Sequence, residues 1–340
     1  MVRERIKTIT WVLLLFCISQ SGLAQSKVGT SAASFLGIAV GPRAVGQGGA
    51  FVAVANDASA LYWNPGGLSR YGKSEVMFSH TGWLVGTKFD WAGALINLDG
   101  TNAVGVSFTQ LTYGDELVTT ETSQMGTGET WSASDVSIGL TYARNLTDRF
   151  SIGGTAKFIQ QRIWNESASS AAVDVGLLYL TDFSGLKIGM CISNYGADMR
   201  LDGKDLFRPI DTDPANAGSS KTNVARLKTD DWPLPLFFRA GVSIDALKME
   251  DLRLSVSADA LRPSDNSETV NVGGELSWNE ILFVRAGMKS LFLADTQEGF
   301  TLGGGARWDI SNTMGLGFDY SYEDFGLFGG IQQFALAITF

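Results

Sequence analysis

The chain has 340 residues, a formal net charge of −9, 45% hydrophobic residues and a single histidine. A chain this acidic is a poor candidate for binding nucleic acid or an anionic lipid surface. Forty glycines and twenty phenylalanines are unusual for a soluble enzyme and suit curved strands with aromatic contacts to an apolar phase.

Residues 1–24 have the pattern of a secretory signal peptide. Three basic residues precede an apolar run over residues 9–18, and the small residues Gly22 and Ala24 offer a cleavage site. Cleavage would remove three basic residues and one acidic residue, so the net charge would fall from −9 to −11. Of the two cysteines only Cys191 would remain, so we expect no internal disulfide.

The segment 25–72 differs from the rest of the chain because it is rich in glycine and almost uncharged. Gly46, Gly48 and Gly49 permit positive φ and a close approach of backbones. Such a segment ahead of a long series of strands is typical of a plug, or hatch, inside a barrel. Arg43 is its only charge between Lys27 and Asp57.

The sequence also predicts a short helix in the plug. Asp57 is expected to cap a helix over residues 58–62, and Asn64 with Pro65, just after Trp63, is expected to end it. The residue before a proline is driven out of the α region, which explains the expected stop.

From residue 73 to 340 the chain alternates between apolar and polar or tiny residues with period two, which is typical of strands. Fourteen candidate strands have lengths near ten residues, whereas soluble strands average five or six. They cover residues 75–85, 88–98, 103–113, 133–143, 150–161, 171–181, 186–195, 236–245, 251–261, 268–278, 281–291, 300–309, 314–323 and 331–340. A soluble sandwich is the alternative, but charges on the polar faces suit a wet lumen better.

The connections between these strands alternate in length. Those expected to face outward include the long segments 114–132, 163–170 and 196–235, while the others are short turns. The sequence therefore predicts an all-β fold, a transmembrane antiparallel β-barrel of about 14 strands with a small N-terminal plug in the lumen. Segments 114–132 and 196–235 are the best places for a partner.

Arg43 would need a carboxylate partner if a barrel enclosed it, because a buried charge is costly when it is unpaired. The candidates are the mid-strand acids Asp259, Glu275 and Asp319, which lie on faces expected to line the lumen.

The last strand ends in an aromatic residue. Phe334, Leu336, Ile338 and Phe340 alternate with small residues, and this resembles the strand that outer-membrane assembly machinery recognises. We expect these four side chains to form the barrel-assembly signal.

The sequence predicts no catalytic residues, no cofactor and no metal site. His80 is expected to be a wall residue, and Cys191 has no basic neighbour in sequence to activate it. Asp211, Asp213 and Asn216 have oxygen ligands but lack the glycine and the closing glutamate of a calcium loop.

The run from Lys27 to Leu68 resembles the N-terminal signature of the PorV/PorQ family of outer-membrane proteins. It reads KVGTSAASFLGIAVGPRAVGQGGAFVAVANDASALYWNPGGL. That family is similar in architecture to FadL-type fourteen-stranded barrels, whose hatch carries an Asn-Pro-Ala element. Asn64 and Pro65 match this element, and Gly66 replaces the alanine.

The resemblance implies a multi-pass barrel in the outer membrane of a Gram-negative bacterium, in contact with its lipids. PorV-type members act with type IX secretion machinery, so partners would be secretion proteins or secreted cargo. FadL-type relatives instead take up hydrophobic molecules, which is the alternative; a purely structural barrel is a third. Glycine pairs such as Gly153-Gly154 and Gly273-Gly274 would provide either a wall kink for transport or only strand curvature.

Overall fold

The computed structural model describes residues 28–211, 223–293 and 296–340. The expected signal peptide, 1–24, lies outside these residues, as do Asp213 and Asn216 of the rejected calcium loop.

Within the described residues, fourteen antiparallel strands form one closed barrel. The strands are β1 (Glu75–Gly82), β2 (Lys88–Asn97), β3 (Asn102–Leu117), β4 (Thr130–Asn145), β5 (Phe150–Ile163), β6 (Glu166–Leu180), β7 (Lys187–Gly196), β8 (Phe237–Lys248), β9 (Leu252–Pro263), β10 (Thr269–Trp278), β11 (Leu282–Leu291), β12 (Phe300–Ser311), β13 (Met314–Asp324) and β14 (Gly330–Thr339).

Each strand pairs with its neighbours in chain order, and the barrel closes where β1 meets β14. This seam runs from Glu75 opposite Thr339 to Gly82 opposite Gln332. Closure leaves no strand edge exposed to lipid, where an unpaired backbone group would be costly.

The connections mark the two ends of the barrel. Short turns such as residues 146–149 and 279–281 lie at the periplasmic end, together with the start of β1 and the end of β14. The outward connection between β7 and β8 is the longest. It contains short strands at Met199–Arg200, Asp202–Gly203, Phe207–Ile210, Asn223–Arg226 and Asp231–Trp232 and a 3₁₀ turn at Lys204–Leu206. The outward connections after β1 and β13 carry 3₁₀ turns at Leu84–Gly86 and Gly326–Phe328.

One outward loop predicted from the sequence is wrong. Residues 163–170 are strand except for a tight turn at Trp164 and Asn165, because β5 continues to Ile163 and β6 begins at Glu166. The loop 114–132 is also shorter than predicted, since β3 and β4 extend beyond the wall as a hairpin and leave only residues 118–129 as connection.

Side chains alternate between lipid and lumen along each strand. On β13, Leu316, Phe318 and Tyr320 are exposed on the outer surface, whereas Asp319 and Ser321 are 1% exposed and face inward. An apolar outer face and a polar inner face are what a bilayer requires of a barrel. No helix among the described residues is long and apolar enough to cross a membrane, a finding that says nothing of a β-barrel.

The plug fills the lumen with short helices and turns. Its helices are α1 (Pro42–Gly46), α2 (Ala60–Trp63) and α3 (Leu68–Tyr71), and its 3₁₀ turns are Ser34–Gly37 and Pro65–Gly67. Leu61 and Leu68 pack with inward-facing side chains such as Trp91 and Leu95, so the main apolar core lies between plug and wall.

The plug crosses the lumen from the outer end to the periplasmic end. At the outer end the Ala32 N–H donates to the Pro233 carbonyl in the long outward connection (2.9 Å). At the periplasmic end Arg70 donates to the carbonyl oxygens of Thr147 and Asp148 in the turn between β4 and β5. The chain then enters β1.

Candidate functional site: the plug and the lumen wall

Arg43 fastens the plug to the wall through Glu275 on β10. Its Nε donates to Glu275 Oε2 at 2.9 Å and its Nη2 donates to Oε1 at 3.1 Å, a bidentate pair. Nη1 donates within the plug to Asp57 Oδ2 (3.1 Å) and Asn56 Oδ1 (2.9 Å). Burial disfavours the charged guanidinium, but the carboxylates of Glu275 and Asp57 outweigh it and raise the Arg43 pKa well above its usual value.

The ion pairs continue along the wall beyond Glu275. Arg285 on β11 donates to Glu275 Oε2 (2.8 Å) and to Asp319 Oδ1 on β13 (2.7 Å), and Arg307 on β12 donates to Asp319 Oδ2 (2.6 Å). Acidic and basic side chains alternate along this row of ion pairs, so each buried charge lies beside at least one opposite charge. Asp319 therefore reaches Arg43 only through Arg285 and Glu275. Sequence reasoning missed Arg285, although its mid-strand position was the available signal.

Asp259, one of the three candidate partners of Arg43, binds the plug at another place. Asp259 Oδ2 instead accepts the backbone N–H groups of Phe51 (2.7 Å) and Val52 (2.8 Å). The plug turns here and presents two amides to β9, and a carboxylate satisfies both at once.

The plug glycines lie where its backbone touches the wall. Gly48 has φ +65°, its N–H donates to Thr301 Oγ1 (3.0 Å), and a Cβ there would lie 2.7 Å from the Val272 carbonyl oxygen. Gly49 has φ +72°, and Gly46 packs against the backbone of Gly303 on β12. A larger residue at Gly48 would have to push the plug away from β10 and β11.

The wall contributes matching glycines that sequence reasoning did not assign. A Cβ on Gly273 would lie 2.1 Å from the backbone carbonyl oxygen of Gln47, and a Cβ on Gly287 would lie 2.2 Å from the backbone nitrogen of Gly48. A Cβ on Gly153 would lie 2.3 Å from the Pro65 oxygen. The sequence alone leaves open whether Gly153 and Gly273 provide a kink or curvature, and in the structure they make room for the plug backbone.

The predicted helix after Asp57 is displaced. It covers Ala60–Trp63 instead of residues 58–62, and Asp57 accepts the Ser59 N–H (2.9 Å) in a turn ahead of it. Residues 57–60 form a tight turn, because the Ala60 N–H donates to the Asp57 carbonyl oxygen (3.0 Å), and the α-helix begins only after this turn.

The Trp63-Asn64-Pro65 motif ties three parts of the lumen together. The Trp63 indole donates to the Val40 oxygen (2.8 Å), and Asn64 Nδ2 donates to the Val52 oxygen (2.7 Å) and to the Leu177 oxygen of β6 (2.9 Å). Asn64 Oδ1 accepts the Gly66 N–H (3.0 Å). The fully buried Asn64 thus uses both ends of its amide.

The aromatic end of the chain lies at the periplasmic end of the seam. Phe334, Leu336 and Ile338 project from β14 toward lipid, and Phe340 exchanges backbone hydrogen bonds with Ser74 at 2.9 and 3.1 Å. Their role as an assembly signal stays a prediction. Removal of Phe340 is expected to lower the amount of heat-modifiable barrel in outer-membrane fractions, and an unchanged amount would contradict it.

The other groups considered from the sequence lie in the wall. His80 Nδ1 is 2.6 Å from Asp90 Oδ1 of the neighbouring strand β2, and Cys191 is buried on β7. No group of three or more metal-ligating side chains occurs among the described residues.

The sequence model of the family described as "Type IX secretion system protein PorV" matches residues 21–213. The match extends over more than half of the chain and includes the whole plug and β1 to β7. The chain belongs to the PorV family. No curated protein matches it.

The PorV-family barrel is similar in fold to solved hydrocarbon channels. The CymD monoaromatic hydrocarbon channel aligns with a TM-score of 0.53 and 12% identity, over 89% of this chain and 97% of that one. The Ralstonia pickettii toluene transporter TbuX aligns with a TM-score of 0.51 and 12% identity, over 88% and 97%. A Pseudomonas aeruginosa FadL homologue aligns with a TM-score of 0.49 and 13% identity, over 86% and 96%. At these identities the likeness shows the fold alone.

Family and architecture together locate the protein. A closed fourteen-stranded barrel of the PorV family is a multi-pass protein of the Gram-negative outer membrane, associated with type IX secretion.

Proposed function

We propose that this PorV-family barrel is an escort or receiving component for proteins that leave the cell by type IX secretion. The family match over residues 21–213 is the observation that carries the proposal. The barrel would hold the protein in outer-membrane lipid, and its outward surface would meet secretion proteins or secreted cargo.

The outward connections support such a docking role. Apolar side chains are exposed along and beside the long connection between β7 and β8, with Tyr195 at 70%, Val224 at 65% and Trp232 at 47% exposure. Val224 and Trp232 lie in the predicted partner segment 196–235, and Tyr195 directly precedes it at the end of β7. Exposed aromatic and aliphatic side chains of this kind are typical of interaction sites. The hairpin of β3 and β4 around the predicted segment 114–132 provides a second outward surface.

The attachment of the plug also supports a docking role over free passage. The salt bridge between Arg43 and Glu275, hydrogen bonds to β1, β6, β9 and β14, and close glycine contacts hold the plug to the wall. Uptake of hydrophobic molecules would require some of these contacts to open, and the fold likeness to hydrocarbon channels does not by itself carry that activity to this chain.

A deletion strain tests the proposal. It would be complemented with the full chain, with a variant whose residues 201–230 are replaced by a short Gly-Ser linker, and with a control carrying Phe318→Ala on the lipid-facing side of β13. We expect cargo to accumulate in the periplasm of the deletion strain without complementation and of the strain with the loop variant. Cargo should reach the surface in the strains with the full chain and with the Phe318→Ala control. Heat-modifiable migration would verify that each barrel is folded.

The same strains distinguish an escort from a channel. Normal surface display of cargo in the deletion strain, with reduced uptake of a labelled hydrophobic compound, would reject the escort role and favour a channel.

A further inference from the structure

A cavity of about 780 Å³ lies on the outer side of the plug. Its floor is formed by plug residues including Ile38, Ala39 and Val45, and its walls by inward-facing residues near the outer ends of β1, β10, β11, β13 and β14. We call this space the vestibule. It has the size of a small-molecule site.

Acidic groups outnumber basic groups among the described residues that line the vestibule. Lys289 is the basic side chain, and its ammonium donates to Glu323 Oε1 (2.5 Å) and contacts Glu298 Oε1 (2.9 Å). Asp265 adds a third carboxylate. Because Lys289 is already shared by two acids, the vestibule has a negative excess and little capacity for an anion.

Three residues that line this space carry buried polar atoms without a protein partner. Ser321 Oγ, Gln333 Oε1 and Thr269 Oγ1 have no hydrogen-bond partner among the described residues, and the three side chains belong to residues 1%, 3% and 7% exposed. All three residues line the vestibule. Buried polar groups in proteins are nearly always paired, so these three side chains can accept hydrogen bonds from a group that enters the vestibule.

The Gln333 amide indicates the kind of group that this set of side chains can bind. Its Nε2 already donates to the Ala39 oxygen (3.2 Å) and to Thr81 Oγ1, which leaves Oε1 as an unused acceptor. The nearby carboxylates are acceptors as well. A ligand for this set must therefore donate several hydrogen bonds, as an ammonium or guanidinium group does.

The remaining lining is apolar. Ile38, Val45, Phe237, Leu261 and Ile331 contribute aliphatic and aromatic surface, and at the rim the Trp83 and Phe325 rings pack edge to face with centroids 5.6 Å apart. A cation on an apolar body would place hydrocarbon against these residues, and aromatic faces would favour its charge.

We propose that the vestibule binds an organic cation, namely a primary ammonium or guanidinium group carried on a short apolar body. The cation lies near Glu323 and Glu298 and donates to Gln333 Oε1, and the hydroxyls of Ser321 and Thr269 complete the polar side. A Lys or Arg side chain of an incoming polypeptide and a free amphiphilic amine present the same chemistry. The site stands independently of the proposed role in secretion.

Calorimetric titration of the full chain in lipid nanodiscs tests the site, with empty nanodiscs correcting for partition into lipid. The probes are hexylammonium, the capped tripeptide acetyl-Leu-Lys-Leu-amide, and hexanol and hexanoate as neutral and anionic counterparts. We expect saturable binding of at least one cationic probe and none of hexanol or hexanoate. Binding of the peptide alone would assign the cation to polypeptides, and binding of hexylammonium alone would assign it to small amines.

Substitutions locate the binding. Glu323→Gln is expected to weaken cation binding about tenfold or more, because it removes a buried charge partner. Glu298→Gln in the outward connection makes the same test if Glu323→Gln impairs folding, and Glu116→Gln on the exposed hairpin is the matched control. Equal binding of hexanol and hexylammonium, no binding of either cationic probe, or cation binding unchanged by both vestibule substitutions would overturn the proposal.

Discussion

Arg43 joins the plug to the barrel wall through both oxygens of Glu275, and its remaining nitrogen returns to the plug at Asp57. Removing one partner of a buried pair costs about 3–5 kcal/mol when the other charge is left without any partner, and less when a second partner remains, as Arg285 does for Glu275. An exposed pair typically contributes about 0–1 kcal/mol, because water already solvates both ions. Arg43 should therefore matter far more than an arginine on the surface.

Arg43→Ala is expected to loosen the plug by at most about 3–5 kcal/mol, because Glu275 and Asp57 lose a buried partner while Glu275 keeps Arg285. Conductance in planar bilayers should rise. Arg149→Ala is the control, because Arg149 pairs with Asp182 in the periplasmic turns and both side chains are more than half exposed. Conductance of Arg43→Ala equal to that of the unaltered protein would show that this contact does not hold the plug.

The sequence pointed to acids that share a face but not to which of them meet. Period two assigned Asp259, Glu275 and Asp319 to the lumen, and all three side chains are buried there. The register around the barrel and the path of the plug then decide that Glu275 meets Arg43 while Asp259 binds backbone amides. Neither quantity is encoded in a local pattern.

At the scale of elements, plug and wall meet backbone to backbone at glycines. Gly273 on β10 faces Gln47, while its neighbour Gly274 faces outward, where an added Cβ would lie 3.4 Å from the nearest atom, the Ser255 oxygen. Two adjacent glycines in one strand therefore have different tasks, and they form a matched pair for substitution.

Gly273→Ala is expected to displace the plug, since the new methyl group would lie 2.1 Å from the Gln47 oxygen. Gly274→Ala should leave the plug in place, because its methyl group meets ordinary contact distances. Hydrogen exchange at the amides of residues 46–49 measures the difference. Equal protection in the two variants would contradict the assigned contact.

Strand positions were predictable, whereas one turn was not. The pattern placed β10 at 268–278, and the strand is Thr269–Trp278. The loop predicted at 163–170 failed because Ser167 to Ala172 are all small, so alternation there carries little contrast. The helix after Asp57 begins two residues later than predicted, because residues 57–60 close a tight turn through the Ala60 N–H and the Asp57 carbonyl oxygen.

At the scale of the whole molecule, the plug begins at the outer mouth of the barrel and ends at the periplasmic rim. Ala32 is bonded to the long outward connection, and Arg70 to a periplasmic turn. The sequence predicted a barrel with an N-terminal plug in its lumen. It carried no signal for the direction in which that segment crosses the lumen, because direction depends on contacts between residues far apart in the chain.

An epitope inserted directly before Val28 should bind antibody on intact cells, because this part of the chain lines the outer vestibule. The same epitope placed in the turn 146–149 should bind only after the outer membrane is permeabilised. Immunofluorescence with and without permeabilisation makes the comparison. Reversed accessibility of the two sites would show that the assigned orientation is wrong.

The path of the plug also constrains how the molecule is made. The long outward connection packs over one end of the plug, and β1 continues from the other. We therefore expect the sheet to curl around the plug before the seam between Glu75–Gly82 and β14 closes. If the plug entered after closure, the large side chains of Trp63 and Arg43 would have to pass through the lumen of the closed barrel. Residues 28–71 supplied as a separate peptide should therefore fail to block current through a barrel that lacks them. Closure of the barrel and enclosure of the plug would then occur together, and contacts with the plug would help to set the circumference of the sheet.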